Sequence, residues 1–210
     1  MGQDRQTNGR RYTWADYQCW PDDRRWEIIG GEPFAMSPSP NTRHQHICGE
    51  LFAALLQYFR GKRCRPFISP MDVKLSEADI VQPDILVVCN PQQIKPTHIE
   101  GAPSLVIEIL SPSSLAHDRV RKINLYAHFG VKELWIVNPF PAVLELFVLD
   151  GTSYRRQAAY ERDQTITSTV FPDLRVPLFT VFDFPLEPGE KPPTVREGPA
   201  HYRLASDPEP

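Results

Sequence analysis

Hydrophobic positions near the N-terminus follow two spacings. In a segment that ends at Gly61, the residues that would share one face of a helix recur every three or four positions. This spacing predicts a long helix. The residues are His44, Ile47, Cys48, Leu51, Leu55 and Phe59. Upstream, Gly30 and Gly31 separate two short apolar segments, residues 26–29 and 34–36. Because glycine accepts the positive φ angles of a tight turn, this pattern predicts a β-hairpin.

The middle of the chain predicts strands around a second helix. Three extended segments come first, over residues 66–75, 80–89 and 104–110. The last two are nearly continuous apolar runs, which are typical of central strands buried on both faces. A helix over residues 117–129, ended by Gly130, and strands over residues 133–137 and 143–149 follow. The order of helix, three strands, helix and two strands indicates an α/β fold.

Two weaker patterns lie at the ends of this region. Thr13 is followed three residues later by Asp16, a cap-like pattern that predicts a short helix stopped by Pro21. Residues 154–184 predict further short strands and turns around Thr165, Val170 and Val176.

Composition sets boundaries but names no function. The chain has 210 residues, 41% hydrophobic and 23% charged, as in an ordinary soluble globular protein with one core. From residue 185 onward, 7 of 26 residues are proline, and such a segment buries too little apolar surface to stay ordered. We therefore expect a flexible leader over residues 1–11, one domain over residues 12–184 and a disordered tail over residues 185–210.

Charge and cysteine usage exclude some classes of partner. The net charge of -3 provides no global positive field, so contact with nucleic acid requires a local basic patch. The four cysteines (Cys19, Cys48, Cys64, Cys89) lack zinc-ligand spacing, and we predict reduced, mostly buried thiols. The N-terminus has no apolar signal region, and no apolar run reaches about 18 residues. We expect a cytoplasmic protein with no membrane partner.

Two acidic residues interrupt the apolar runs. Asp84 lies within residues 80–88, on the same face as Leu86 and Val88 if this segment is one strand, and Glu108 lies within the next apolar run. A buried carboxylate is destabilising unless a cation or hydrogen-bond donors compensate it. If the strands pair, both acids could reach one divalent ion, and such oxygen ligands suit Mg²⁺. Alternatively, each acid is structural, paired with an arginine or a helix N-terminus.

Lys122 lies on an apolar stripe of the second long helix. Its neighbours at positions i+3, i+4 and i+7 are Leu125, Tyr126 and Phe129. The polar face is formed instead by Arg121, Asn124 and His128. This pattern directs Lys122 toward the body of the protein, either as a functional residue or as a side chain whose stem covers the core while its amine reaches the edge.

Several short motifs occur in a fixed order over residues 12–184. They are RWEIIGGE (25–32), HQ (44–45), DVKL (72–75), QPD (82–84) and IEILSPS (107–113), then Asp118, Arg119, Lys122, Tyr126, Gly130 and ELWIV (133–137). Their order and spacing resemble the PD-(D/E)XK nuclease superfamily and, within it, the bacterial Uma-type family of putative restriction endonucleases. The resemblance implies a restriction-endonuclease-like fold, with a mixed central sheet flanked by helices and an N-terminal β-hairpin.

The same resemblance implies an activity. Members are metal-dependent endonucleases, which implies Mg²⁺ or Mn²⁺ held by Asp84 and Glu108, hydrolysis of DNA by activated water, and a homodimer. The usual superfamily lysine, two residues after the glutamate, is replaced here by Leu110. We predict that Lys122 on the following helix takes its role. The alternatives are a non-catalytic nucleic-acid-binding or interaction module that keeps the fold, and a structural protein whose buried acids are merely paired.

Further residues are weaker candidates for the site. Similar proteins carry acids in the hairpin, so Glu32, preferred here over Glu27, could add an acidic ligand unless both are solvated. Asp72 could line the same cavity or serve the bend at residues 70–71. His44, on the apolar stripe of its helix, is either a core histidine or a catalytic residue.

Basic residues near the two long helices could contact phosphates, although such charges are usually solvated surface. They are Arg119 and Arg121 on the second helix, and Lys62, Arg63 and Arg65 after the first.

Overall fold

A computed structural model of the protein describes residues 9–21, 24–36, 41–110 and 116–184, with only the backbone described for residues 116–119. The predicted tail over residues 185–210, and most of the predicted leader, lie outside the described residues. Within the described ranges, no helix is both long and apolar enough to cross a membrane.

Four α-helices and thirteen strands are described. The helices are α1 (Trp14–Tyr17), α2 (Thr42–Phe59), α3 (Ala116–His128) and α4 (Leu178–Val181). The first seven strands are β1 (Trp26–Ile29), β2 (Glu32–Ala35), β3 (Arg65–Ile68), β4 (Val73–Ser76), β5 (Asp79–Val81), β6 (Ile85–Val88) and β7 (Ile99–Glu100). The others are β8 (Leu105–Ile109), β9 (Glu133–Pro139), β10 (Ala142–Asp150), β11 (Ser153–Glu161), β12 (Thr165–Thr167) and β13 (Arg175–Pro177).

The strands form two main sheets and one small pair. The larger sheet has the order β11-β10-β9-β8-β6-β3, with β8 and β9 parallel and the other neighbours antiparallel. The second sheet has the order β2-β1-β5-β4-β7 and contains the N-terminal hairpin. Strands β12 and β13 pair with each other. The predicted mixed α/β architecture is confirmed.

Helices α2 and α3 contribute to two separate cores that share the larger sheet. Leu51 and Leu55 of α2 pack with Ile107 of β8 in one core, whereas Tyr126 of α3 packs with Val106 in the other. Strand β8 is therefore buried on both faces, as its apolar sequence predicts. Glu108 is its one residue that is not fully buried.

The prediction of single strands over residues 66–75 and 80–89 is wrong. Each segment divides into two strands that belong to different sheets: β3 and β4 in the first, β5 and β6 in the second. The breaks fall at Pro70 and Pro83, and proline lacks the N–H that a ladder needs. Asp84 is consequently not inside a strand, because it lies where the chain passes from one sheet to the other.

The N-terminal predictions agree with the structure in type. Thr13 and Asp16 form a capping box at the start of α1, although this helix ends at Tyr17, before Pro21 is reached. The hairpin turn is made by Gly30 and Gly31, with φ angles of 58° and 81°. These positive angles explain the two glycines.

The prediction of four reduced thiols is wrong for Cys64 and Cys89, which form a disulfide across β3 and β6. The antiparallel register pairs Arg65 with Val88, so the next residue outward on each strand brings the two cysteines opposite each other. Cys19 is an exposed free thiol and Cys48 a buried one.

Candidate active site

Asp84 and Glu108 meet at one edge of the larger sheet. The antiparallel register of β6 and β8 pairs Ile85 with Ile107, and one further step places Asp84 opposite Glu108. Asp84 directly precedes β6, and its negative charge lies close enough to Glu108 to raise the pKa of that carboxyl. The carboxylate of Asp84 accepts a hydrogen bond at Oδ2 from the backbone N–H of Ile109, at 2.8 Å. The expected meeting of the two acids is therefore present.

His44 reaches Asp84 from the first turn of α2. Its Nε2 lies 3.3 Å from Oδ2 of Asp84, and its backbone N–H donates to the Asn41 cap at 2.8 Å. Burial lowers the pKa of His44, but the hydrogen bond and negative charge of Asp84 outweigh it and raise the pKa above its ordinary value. The buried Nδ1 of His44 has no hydrogen-bond partner among the described residues.

Glu108 receives two side chains from α3. The hydroxyl of Tyr126 donates to Oε1 at 2.5 Å, and Nζ of Lys122 lies 3.4 Å from the same oxygen. The two residues are four positions apart, so they project from one face of the helix. Burial raises the pKa of Glu108 to about 7; Lys122 opposes this shift, whereas the charges of Asp84 and Glu27 add to it.

Lys122 also contacts the N-terminal hairpin. Its Nζ lies 2.9 Å from Oε1 of Glu27, and the backbone N–H of Gln82 donates to that oxygen at 2.9 Å. The side chains of Lys122 and Glu27 are 12% and 4% exposed. One buried ammonium therefore lies between an acid of β1 and an acid of β8, and its stripe position in α3 directs it inward as predicted.

The placement of the weaker acidic candidates differs from residue to residue. Glu27 belongs to the cluster, whereas Glu32 is exposed on β2 and makes none of the cluster's contacts. The sequence-based preference for Glu32 is thus not supported. Asp72 accepts hydrogen bonds from the Tyr17 hydroxyl and from Nε2 of Gln82, both at 2.8 Å, so its carboxylate serves a neighbouring network.

The basic candidates make no described contact with the acidic cluster, Lys122 excepted. The Arg121 guanidinium lies over the Phe34 ring, 4.1 Å from its centroid, and so attaches α3 to the hairpin. The Arg119 side chain lies outside the described residues. Lys62, Arg63 and Arg65 are exposed near the start of β3, where Nζ of Lys62 lies 3.2 Å from the Tyr58 ring centroid.

Two contacts of the candidate site were not predicted from the sequence. Tyr126 lies on the apolar stripe of α3, and its spacing of four from Lys122 is the signal that places both side chains on one face of the helix. Gln82 joins the hairpin to the crossover, because its backbone N–H binds Glu27 and its Oε1 accepts from Nε of Arg25 at 2.7 Å. The QPD motif contains this residue, but only the three-dimensional pairing shows its role.

The donor atoms of the cluster fit a magnesium ion. Within the described part of the chain, no group of three or more His, Cys, Asp or Glu side chains forms a ready-made metal site. Mg²⁺, however, is commonly held by one or two carboxylates together with waters and substrate phosphates. Asp84 and Glu108 each keep one carboxylate oxygen, Oδ1 and Oε2, without a hydrogen bond to a described residue. Their side chains are 19% and 13% exposed, so solvent reaches both.

Comparison with known proteins identifies the family. The model of the Uma2 family, described as putative restriction endonuclease, matches residues 14–181. The chain belongs to the Uma2 family. A related protein of Synechocystis sp. (strain ATCC 27184 / PCC 6803 / Kazusa), of uncharacterised function, is 31% identical over 116 residues. That match covers 54% of this chain and 60% of the relative's length.

A solved structure supports the Uma2 fold. It is the crystal structure of a putative nuclease belonging to DUF820 from Anabaena variabilis ATCC 29413. The TM-score is 0.66 at 20% identity, and the match covers 81% of this chain and 97% of the other. The resemblance inferred from the motifs is confirmed, and family membership supports a nuclease in general terms.

Proposed function

We propose that the protein is a Mg²⁺-dependent endonuclease that hydrolyses phosphodiester bonds of DNA. The observation that carries the proposal is the convergence of Asp84, Glu108 and Lys122 at one sheet edge, with Nζ of Lys122 3.4 Å from Glu108. Family membership supplies the reaction class. Mn²⁺ is the expected substitute ion. A homodimer and a cytoplasmic location stay predictions.

Asp84 and Glu108 are the residues that would hold the ion. When bound, it would lower the pKa of a water molecule and stabilise negative charge on the phosphate. The protein's own contribution is orientation: the backbone N–H of Ile109 and the imidazole of His44 fix Oδ2 of Asp84. The Tyr126 hydroxyl fixes Oε1 of Glu108 in the same way. Such outer contacts hold ligands in one rotamer and commonly affect metal affinity strongly.

Lys122 supplies the positive charge that Leu110 cannot. Leu110 packs against the apolar cluster shared by β8 and α3, so the usual position of the lysine is filled by a hydrocarbon side chain. The Lys122 ammonium approaches Glu108 from α3 instead and is held there by Glu27. In this place it would orient the attacking water or offset the charge of the phosphate in the transition state.

The cluster favours an enzyme over the two alternatives. A structural protein would need only enough charge to neutralise each acid, and its acids could point to different faces. Here Asp84 and Glu108 lie close together, and each has one carboxylate oxygen that accepts no hydrogen bond from a described residue. An interaction module that merely kept the fold would have no use for a lysine held between two buried acids.

The proposal is tested by cleavage of supercoiled plasmid and of single-stranded DNA in Mg²⁺, in Mn²⁺ and in EDTA. We expect metal-dependent cleavage by the wild-type protein and loss of cleavage in Asp84→Asn. Asp79→Asn is the matched control, because Asp79 also accepts a backbone N–H, from Gly30 at 2.7 Å, but lies outside the cluster. Equal cleavage by wild type and Asp84→Asn, or undiminished cleavage in EDTA, would contradict the proposal.

A further inference from the structure

A second charged site lies on the other side of the first turn of α2. It is a shallow cleft with about 10 Å³ of internal space, between α2, the connection of β9 to β10 and the C-terminal end of the described chain. Its charged lining residues within the described ranges are two arginines, Arg43 and Arg162. The remaining walls include Pro139, Phe182 and Phe184. We call it the Arg43–Arg162 cleft.

Arg43 is buried in the wall of this cleft. The residue is 8% exposed, and its Nη1 lies 3.5 Å from the carbonyl oxygen of Pro139. Its guanidinium also lies over the Phe184 ring, 5.6 Å from the centroid. A planar guanidinium fixed in this way loses little side-chain entropy when it binds a further oxygen.

Arg162 enters the cleft from the end of β11. Its side chain is 23% exposed, and its Nη2 lies 3.5 Å from Oδ1 of Asp183. The side chain of Asp183 is 81% exposed, so water screens this ion pair and leaves it weak. The guanidinium can therefore turn toward an anion at small cost.

The cleft lies at the same sheet edge as the acidic cluster. Strands β8 and β9 are parallel, with Ile109 paired to Val137, and Pro139 lies two residues farther along β9. Two residues correspond to roughly 7 Å along a strand, and neighbouring strands are about 5 Å apart. The first turn of α2 connects the two sites directly, because His44 contacts Asp84 while the adjacent Arg43 faces the cleft.

We propose that the Arg43–Arg162 cleft binds a backbone phosphate of the substrate strand, close to the bond that is cleaved. The inference rests on the proposed nuclease function and extends it to the path of the strand. Guanidinium groups form paired, charge-assisted hydrogen bonds with phosphate oxygens. A protein with a net charge of -3 requires such a local site to hold a polyanion.

The test is binding of a fluorescent DNA oligonucleotide, measured by anisotropy in EDTA at several salt concentrations. We expect Arg162→Gln to weaken binding about tenfold and to reduce the slope of log affinity against log salt by about one, as loss of one phosphate contact does. Arg155→Gln is the control: Arg155 lies on β11, 60% exposed and hydrogen-bonded to Gln157. It removes the same charge far from the cleft and should leave both quantities unchanged. Arg43→Lys, which keeps the charge but loses the planar fork, should weaken binding less than Arg162→Gln.

The outcomes separate the cleft from the nuclease proposal. If the wild type cleaves DNA but Arg162→Gln matches Arg155→Gln in affinity and salt slope, the proposed role of the cleft is wrong and the nuclease proposal is unaffected. Inorganic phosphate is added as a competitor in the same assay. If Arg162→Gln keeps the wild-type affinity for DNA and loses only its sensitivity to this competitor, the cleft takes free phosphate and the strand-path inference is wrong. If the wild type neither binds nor cleaves DNA, the proposed nuclease function is wrong, and so is the inference that the cleft binds a DNA strand. In the cleavage assay, we expect Arg162→Gln to raise KM with little change in kcat.

Discussion

The amine of Lys122 in α3 lies 2.9 Å from the carboxylate of Glu27 in the N-terminal hairpin. This ion pair links two segments that are distant in sequence and brings the hairpin into the candidate site. The same amine lies 3.4 Å from Glu108. The hairpin therefore helps to position the Lys122 amine next to the acids of the candidate site. The hairpin is therefore part of the site and not only a cover for the sheet.

Replacing Lys122 by methionine should reduce cleavage by at least about 100-fold, because loss of one charge-stabilising group commonly costs that much. Lys74 provides a close match: its side chain is 14% exposed and its Nζ contacts Glu77 and Glu100, away from the cluster. Lys74→Met should leave the cleavage rate unchanged. Initial rates on plasmid, with thermal unfolding of each variant, would measure both effects. Similar rates for the two variants would argue against the role of Lys122.

Tyr126→Phe should lower both stability and activity. At pH 8, where Glu108 is mostly ionised, it removes a hydrogen bond to a charged group, so we expect a loss of about 1.5–3 kcal/mol in the free energy of unfolding. We also expect at least roughly tenfold slower cleavage at limiting Mg²⁺. Tyr154→Phe is the control, since Tyr154 donates to the backbone oxygen of Val131 at 2.7 Å. It should cost about 0.5–1.5 kcal/mol and leave cleavage intact. Equal cleavage by both variants would show that Tyr126 is structural only.

Glu108 makes the stability of the metal-free protein depend on pH. Its pKa rises from an ordinary 4.5 to about 7 on folding, chiefly through burial. Between these values the folded protein keeps a proton that the unfolded chain has released, so rising pH favours unfolding. Glu108→Gln removes this contribution. In EDTA, the melting temperature of the variant relative to wild type should therefore increase between pH 5 and pH 8. A difference that does not change with pH would contradict the assignment.

The disulfide predicts a thiol count. Unfolded without reductant, the protein should show two reactive thiols, Cys19 and Cys48, and four after reduction. Because the bridge closes a loop with a sequence separation of 25, replacing Cys64 and Cys89 by serine should cost about 3 kcal/mol of stability. Cys19→Ser, at an exposed free thiol, should cost almost nothing. Four thiols in the protein without reductant would rule out the bridge.

Local signals were sufficient to predict the main helices and the hairpin. The apolar spacing of α2 and α3, the Gly30-Gly31 turn and the Thr13 cap depend on residues a few positions apart. The breaks at Pro70 and Pro83 were not predicted, because apolar residues continue on both sides of each proline. The change of sheet at these points depends on which strands pair, and that is a property of the tertiary structure.

For the candidate site, too, the sequence predicted some residues, whereas others required the tertiary structure. Asp84, Glu108 and Lys122 were found because buried charge is costly and because their motifs resemble a family. The choice between Glu27 and Glu32 required the orientation of the hairpin relative to α3, which sequence spacing does not give. The pairing of Cys64 with Cys89 likewise required the register of β3 and β6, across 25 residues.

The central claim is that Asp84 and Glu108 together hold one divalent ion, and titration of the protein with Mn²⁺ by calorimetry tests it most directly. The account predicts saturable binding of one ion per chain, lost in Asp84→Asn and in Glu108→Gln and kept in Asp79→Asn. Each variant should unfold cooperatively, so that loss of binding is not loss of fold. Undiminished Mn²⁺ binding by both Asp84→Asn and Glu108→Gln would contradict the account.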